Sequence, residues 1–143
     1  MGFQPPIRRR KTGEVTVLYV REAHGSVDEV AQKLTAAVVA QKFGVLGVHD
    51  LKAKLAEKGV SLGPQCRVFE VCNPQQAKKV LETNMAVANA LPCRICIYEE
   101  DGKVKVSTLK PTALLALFGT DSLHGVAAEV EASITRIVDE ACR

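Results

Sequence analysis

Two cysteines in the stretch LPCRICIYEE (residues 91–100) have the CxxC spacing of thioredoxin-like redox centres and of half a zinc site. A redox dithiol needs its first cysteine at a helix N-terminus and its second one turn further on. Here Cys96 leads into Ile-Tyr-Glu-Glu-Asp-Gly, which is typical of a strand entering a hairpin. Strand residues three apart point to opposite faces. The sequence therefore favours small hydrophobic sheet residues over a redox or zinc pair at Cys93 and Cys96.

Cys72 has a different local setting, at the end of an expected strand and directly before Asn73 and Pro74. Asn73 is a favoured N-cap, Pro74 suits the first helical turn, and Gln76 completes a capping-box pattern. The positive end of such a helix lowers the pKa of a nearby thiol. We therefore expect a ligand pocket at Cys72, Asn73 and Pro74, with Cys93 at its wall.

His49 ends another expected strand and would extend this site if it pointed at Cys72. The two side chains could then form a Cys–His pair or ligate a metal or a haem. Three hypotheses stay open: a small homodimeric domain that binds a small-molecule ligand, an enzyme of thiol redox or sulfur transfer at Cys72, and a haem- or metal-binding module using His49 and a cysteine. The spacing of the cysteines and histidines assigns no metal site, and the cofactor is left open.

Composition limits the partners. The chain has 143 residues and a net charge of +3, and residues 8–11 carry four of its positive charges, so the remainder has 15 basic and 16 acidic residues. Residues 1–12 are expected to form a basic flexible arm, and residues 13–143 a single domain. No apolar run approaches the ~20 residues of a membrane span. We expect a cytoplasmic protein with reduced cysteines, no membrane association and no nucleic-acid partner.

Hydrophobic periodicity and turn signals predict the order β-α-β-α-β-α-β-β-α-α. Strands are expected at 15–20, 43–49 and 66–72, followed by a hairpin at Asp101-Gly102. Longer helices are expected at 27–42, 74–83 and 121–142, with short helical pieces at 51–59, 84–91 and 111–119. The hairpin excludes a doubly wound sheet. The fold class is therefore α+β, a two-layer α/β sandwich with a mixed or antiparallel sheet and its helices mainly on one face.

The first predicted strand is apolar on both of its faces, because Val17 and Tyr19 alternate with Leu18 and Val20. A two-layer domain leaves one sheet face open, so the second apolar face of this strand needs a cover. Either the C-terminal helix or a second copy of the chain could provide it, and we expect a homodimer.

The motifs CNPQQAKKVL, LPCRICIYEE and GKVKVSTLKP, together with the run FGVL, resemble the domain of unknown function 302 family. The resemblance covers about residues 26–119. It implies a small α/β fold, found in bacteria and archaea and commonly as a dimer, without an established activity. Members often have an aliphatic residue at the positions of Cys96 and His49, and an Asp at the position of Lys110.

Overall fold

A computed structural model describes residues 17–119 and 121–143. The arm predicted for residues 1–12 and the first two residues of the predicted first strand lie outside these ranges. The strands are β1 (Leu18–Ala23), β2 (Gly44–Asp50), β3 (Cys66–Cys72), β4 (Cys93–Glu100) and β5 (Lys103–Leu109). The helices are α1 (Val27–Ala40), α2 (Leu51–Glu57), α3 (Pro74–Thr83), α4 (Pro111–Ala116) and α5 (Leu123–Ala141), and a 3₁₀ helix spans Met85–Ala90.

The five strands form one sheet in the order β1-β5-β4-β3-β2, and every neighbouring pair is antiparallel. The α+β class predicted from the sequence is confirmed. Alternate strand residues such as Phe69, Ile95 and Val106 face one side, where they pack with buried residues of α1 and α5 in a single core cluster. The main helices therefore lie on one face, and β1 and β2 form the two edges of the sheet.

Local sequence signals explain where several elements begin and turn. Ser26 and Glu29 form the capping box of α1, with the Glu29 amide donating to the Ser26 hydroxyl at 3.2 Å. Asp50 caps α2 by accepting from the Ala53 amide at 3.0 Å. Asp101 and Gly102 both have positive φ angles, of 54° and 73°, as the two-residue hairpin between β4 and β5 requires.

The first strand runs further than predicted, through Ala23 rather than ending at residue 20. Its last residues pair with β5, and Arg21 and Glu22 form ion pairs with Asp139 and Lys103. This part of the strand was not predicted because its charged residues interrupt the apolar pattern. At the start of the last helix, Ser122 precedes α5 without a side-chain capping hydrogen bond.

The second face of the sheet is not covered by the C-terminal helix, because α5 packs beside α1 on the core side. A row of small or apolar residues crosses the middle of this second face, and cross-strand pairing joins Val20 to Ser107, Ser107 to Cys96 and Cys96 to Val68. We call this side of the sheet the open face. In the described ranges, no helix is long and apolar enough to cross a membrane.

Candidate functional site

The junction between β3 and α3 has the local geometry expected from its sequence. Asn73 caps α3, its Oδ1 accepting hydrogen bonds from the backbone amides of Gln75 and Gln76 at 3.1 and 3.2 Å. Pro74 is the first residue of the helix. The reciprocal half of the predicted capping box is absent here, because the Gln76 side chain makes no bond back to the cap. The first-turn amides are therefore satisfied by Asn73 alone.

A pocket of about 230 Å³ opens beside this junction, between the ends of β3 and β5, the start of β4, and helices α3 and α4. Its wall is mostly apolar, and includes Phe43, Val71, Val80, Leu91, Leu109, Leu114 and Leu115. The polar residues in the wall are Asn73, Gln76, Asn89 and Arg94, together with Cys72 and Cys93. An apolar cavity with a few converging polar groups is the usual form of a small-molecule site.

Gln76 is the most informative polar residue in this wall. Its Oε1 is buried and has no hydrogen-bond partner among the described residues. A buried amide oxygen without a partner costs about 1–3 kcal/mol, so native proteins rarely keep one without a reason. Gln76 is one of the residues in the wall of this mostly apolar cavity.

The pKa of neither pocket thiol is lowered in the way predicted for Cys72. Burial raises the pKa of Cys72. Burial also raises the pKa of Cys93 to about 11, with a further contribution from the nearby Cys72. Desolvation by burial, rather than the expected lowering by the helix N-terminus, sets the direction of the Cys72 shift, and Asn73 already accepts hydrogen bonds from the first-turn amides of Gln75 and Gln76. Both groups are therefore neutral thiols near neutral pH.

Cys93 and Cys96 lie in one strand, as the sequence argument predicted. Cys93 packs against the core cluster on the helix side. Cys96 pairs with Val68 and Ser107 on the open face. The strand thus directs the two sulfurs to opposite faces of the sheet. All five cysteines of the chain are thiols in this structure.

His49 lies away from the pocket. It pairs with Val68 in the sheet, whereas Cys72 pairs with Gly44 at the other end of β2, roughly 15 Å along the strand. Its Nε2 contacts Glu70, and its Nδ1 is 3.0 Å from the Nζ of Lys54. The structure therefore does not bring His49 to Cys72. Within the part of the chain that is described, no three His, Cys, Asp or Glu side chains are grouped so as to hold a metal ion.

Sequence reasoning missed most of this pocket wall, including Arg94, Asn89 and Leu109, and gave Gln76 only a capping role. One signal was available for Gln76, because it precedes Val80 by four residues and so shares the buried stripe of α3. A glutamine in an apolar stripe indicates a buried polar group. Arg94 and Leu109 gave no such signal, since their place in the wall depends on the pairing of β4 with β5.

Fold and pocket together define a small antiparallel α+β domain with a cavity at one end of its sheet. Comparison with protein families gives the particular class. The family model for the domain of unknown function DUF302 matches residues 10–141, and the chain belongs to this family. The match includes the last helix, which lay outside the 26–119 range of the sequence resemblance.

Two relatives support this assignment. A crystal structure of an uncharacterized conserved DUF302 protein from Bacillus stearothermophilus is 32% identical, with a TM-score of 0.86, and the alignment covers 90% of this chain and 100% of that one. An uncharacterized protein of Aquifex aeolicus (strain VF5) is 34% identical over 92 residues, which are 63% of this chain and 58% of the relative. The matched region thus spans less than two thirds of the Aquifex protein.

Proposed function

We propose that this protein is a homodimeric domain that binds a small, largely apolar ligand in the pocket beside Cys72, Asn73 and Cys93. The observation that carries the proposal is the mostly apolar cavity, whose wall includes Gln76 with its buried, unpartnered Oε1. The apolar wall would hold the body of the ligand, and Gln76 would accept a hydrogen bond from it. Pro74 contributes by starting α3, since it is not part of the wall.

The pocket supports binding better than the two chemical alternatives. A thiol enzyme needs a thiolate, and burial raises the pKa of both Cys72 and Cys93. A haem would need far more space than about 230 Å³, which is already below the 300–1,000 Å³ typical of drug-sized ligands. The size instead fits a molecule of roughly ten to fifteen non-hydrogen atoms.

The ligand proposal is tested by native mass spectrometry of gently purified protein and by binding titrations with what is released on denaturation. A variant that fills the cavity, Ala77→Phe, should lose the bound species. Gln75→Phe places the same side chain on the exposed side of the same helical turn and should retain it. Retention of the ligand by folded Ala77→Phe protein would place the binding site elsewhere.

The dimer is proposed to form through the open face. The central row of this face contains Ser107 and Cys96, whose small side chains allow a second sheet to approach closely. Val20, at one end of the row, is 43% exposed, and Leu109 beside it is 45% exposed. A second copy of this face would bury both residues, since α5 does not. Leu109 also lines the pocket, so a partner would stand close to its mouth.

Light scattering at micromolar concentration tests the assembly, with a dimer expected at about twice the chain mass of 15.4 kDa. Val20→Lys places a charge at the β1 end of the central row of the proposed interface and should give the monomer. Val39→Lys changes another exposed valine, on α1, and should leave the dimer intact. A monomeric wild type, or a dimer that survives Val20→Lys, would exclude this interface.

A further inference from the structure

The open face carries charged residues on both sides of its central row, and on each strand the two sides differ. Strand residues two apart share a face, so the neighbours of the row on β4 are Arg94 on one side and Tyr98 on the other. On β5 the corresponding neighbours are Leu109 and Lys105. Each of these strands therefore places a charged residue on one side of the row and an uncharged residue on the other.

The strands β1 and β3 repeat this pattern. The neighbours of the row are Leu18 and Glu22 on β1, and Glu70 and Cys66 on β3. Cross-strand pairing arranges these residues in two flanking rows, one of Leu18, Leu109, Arg94 and Glu70 and one of Glu22, Lys105, Tyr98 and Cys66. The first row has its charges on β4 and β3, and the second has its charges on β5 and β1, so the two rows are complementary strand by strand.

This arrangement distinguishes between the ways in which two copies can pack through the open face. Two sheets with aligned strands are related by a twofold axis that runs either along a strand or along the central row. An axis along β4 would place Arg94 against the partner's Arg94, and an axis along β5 would place Lys105 against the partner's Lys105. Like charges brought together at an interface are strongly unfavourable. An axis along the central row avoids both contacts, because each flanking row then lies against the other one.

Resting on the open-face dimer proposed above, we propose that its twofold axis runs along the central row, so that each residue of this row meets its own copy in the partner. The strands of the two copies then run in opposite directions, within about 30° of each other. On β4, the guanidinium of Arg94 lies against the ring of the partner's Tyr98, which is a cation–π arrangement. On β5, the apolar stem of Lys105 lies against the partner's Leu109.

The charges that enter this interface keep partners within their own chain. The ammonium of Lys105 is 2.8 Å from the carboxylate of Glu100, and Glu22 is 3.1 Å from the ammonium of Lys103. The residues of the central row also suit contact with themselves, because Ser107 and Cys96 in its middle are small and uncharged. The interface therefore brings no like charges together along these four strands.

Opposite charges at Val20 test the orientation of the axis. Val20→Lys and Val20→Glu should each be monomeric alone, since like charges would meet across the axis. Mixed in equal amounts, they should form a heterodimer at least about tenfold tighter than either self-association, measured by native mass spectrometry and light scattering. In the other orientations Val20 meets a different residue, so mixing would restore nothing. The matched control is Val39, exposed on α1, where the Lys and Glu variants should stay dimeric whether mixed or separate.

A double-mutant cycle tests the contact between Arg94 and the partner's Tyr98. The two residues are four apart in β4, roughly 13 Å along the strand, so they do not touch each other within one chain. Arg94→Ala and Tyr98→Ala should each raise the Kd of the dimer about tenfold, because each removes both symmetric contacts.

The double variant should raise the Kd by little more than one change alone, because the two residues act through the same contact. Arg136→Ala, at an exposed arginine on α5, should leave the Kd unchanged. If Tyr98→Ala does not fold, Tyr98→Leu also removes the aromatic face while keeping an apolar side chain, and it should give the same coupling.

The outcomes separate the orientation of the dimer from its existence. A monomeric wild type, or a dimer that survives Val20→Lys, would overturn both proposals. A dimer that is lost in Val20→Lys and not restored by mixing with Val20→Glu would keep the open-face interface and overturn the axis. Independent effects of Arg94 and Tyr98, whose fold-changes multiply, would also overturn the axis. A restored heterodimer with coupled effects at these two residues supports both proposals.

Discussion

Replacing Gln76 by methionine should stabilise the unliganded protein. The change removes the buried, unpartnered Oε1 and keeps a side chain of similar length and helix propensity. A buried acceptor without a partner costs about 1–3 kcal/mol. Some of this gain is offset by imperfect packing of the new side chain, so we expect the free energy of unfolding to rise by about 1 kcal/mol. For a chain of this size the corresponding rise in Tm is about 3–4 °C.

The assay is urea denaturation followed by circular dichroism, on protein dialysed from a denatured state so that no co-purified ligand remains. This precaution matters because a ligand that binds only the folded state adds stability of its own. The control is Gln75→Met, at an exposed position in the same helical turn, which should change the free energy of unfolding by less than about 0.5 kcal/mol.

Ligand should reverse the order of stability. With a saturating ligand that donates to Gln76, the wild type gains stability that the variant gains only in part. A Gln76→Met protein that is less stable than the wild type without ligand would refute the reasoning, since it would mean that the amide is already satisfied.

Three further outcomes are expected from the same structure. With its pKa raised to about 11, Cys93 has a thiolate fraction at pH 8 about 100-fold below that of an ordinary thiol. Its labelling by iodoacetamide, followed by mass spectrometry, should be at least that much slower in folded protein than in urea-unfolded protein, and comparable rates would contradict the burial effect. Burial alone would raise the pKa of Asp139, but hydrogen bonds from Tyr19 and Arg21 outweigh it and lower the pKa. The stability from this carboxylate is therefore present above about pH 4 and lost as pH falls through the lowered pKa. The urea midpoint should fall less between pH 7 and pH 3 in Asp139→Asn than in wild type. Equal falls in the two proteins would count against the linkage between this carboxylate and stability. Asn73→Ala should cost about 1 kcal/mol of unfolding free energy while Asn73→Asp costs little, because aspartate also caps; equal losses in the two denaturation curves would show that the cap bonds are unimportant.

Much of the secondary structure followed from local signals. The Asn-Pro start of α3, the Ser-x-x-Glu box of α1 and the Asp-Gly hairpin each fix a few neighbouring backbone groups, so they can be found without knowing the rest of the chain. The separation of Cys93 from Cys96 also followed, because strand parity is a local property. The α+β class followed from the order of these elements together with the hairpin.

Which residues come together in the pocket depends on the tertiary structure. Gln76 and Arg94 line one cavity because β4 lies between β3 and β5, an arrangement set by long-range pairing. The direction of the pKa shift at Cys72 also depended on it, since the capping pattern predicts a lowered pKa while burial by distant segments raises it. His49 illustrates the same limit: its position at the end of β2 was close to that predicted, but its neighbours are Glu70 and Lys54 rather than Cys72. Desolvation and cross-strand contacts depend on which distant residues meet, and local sequence patterns do not contain that information.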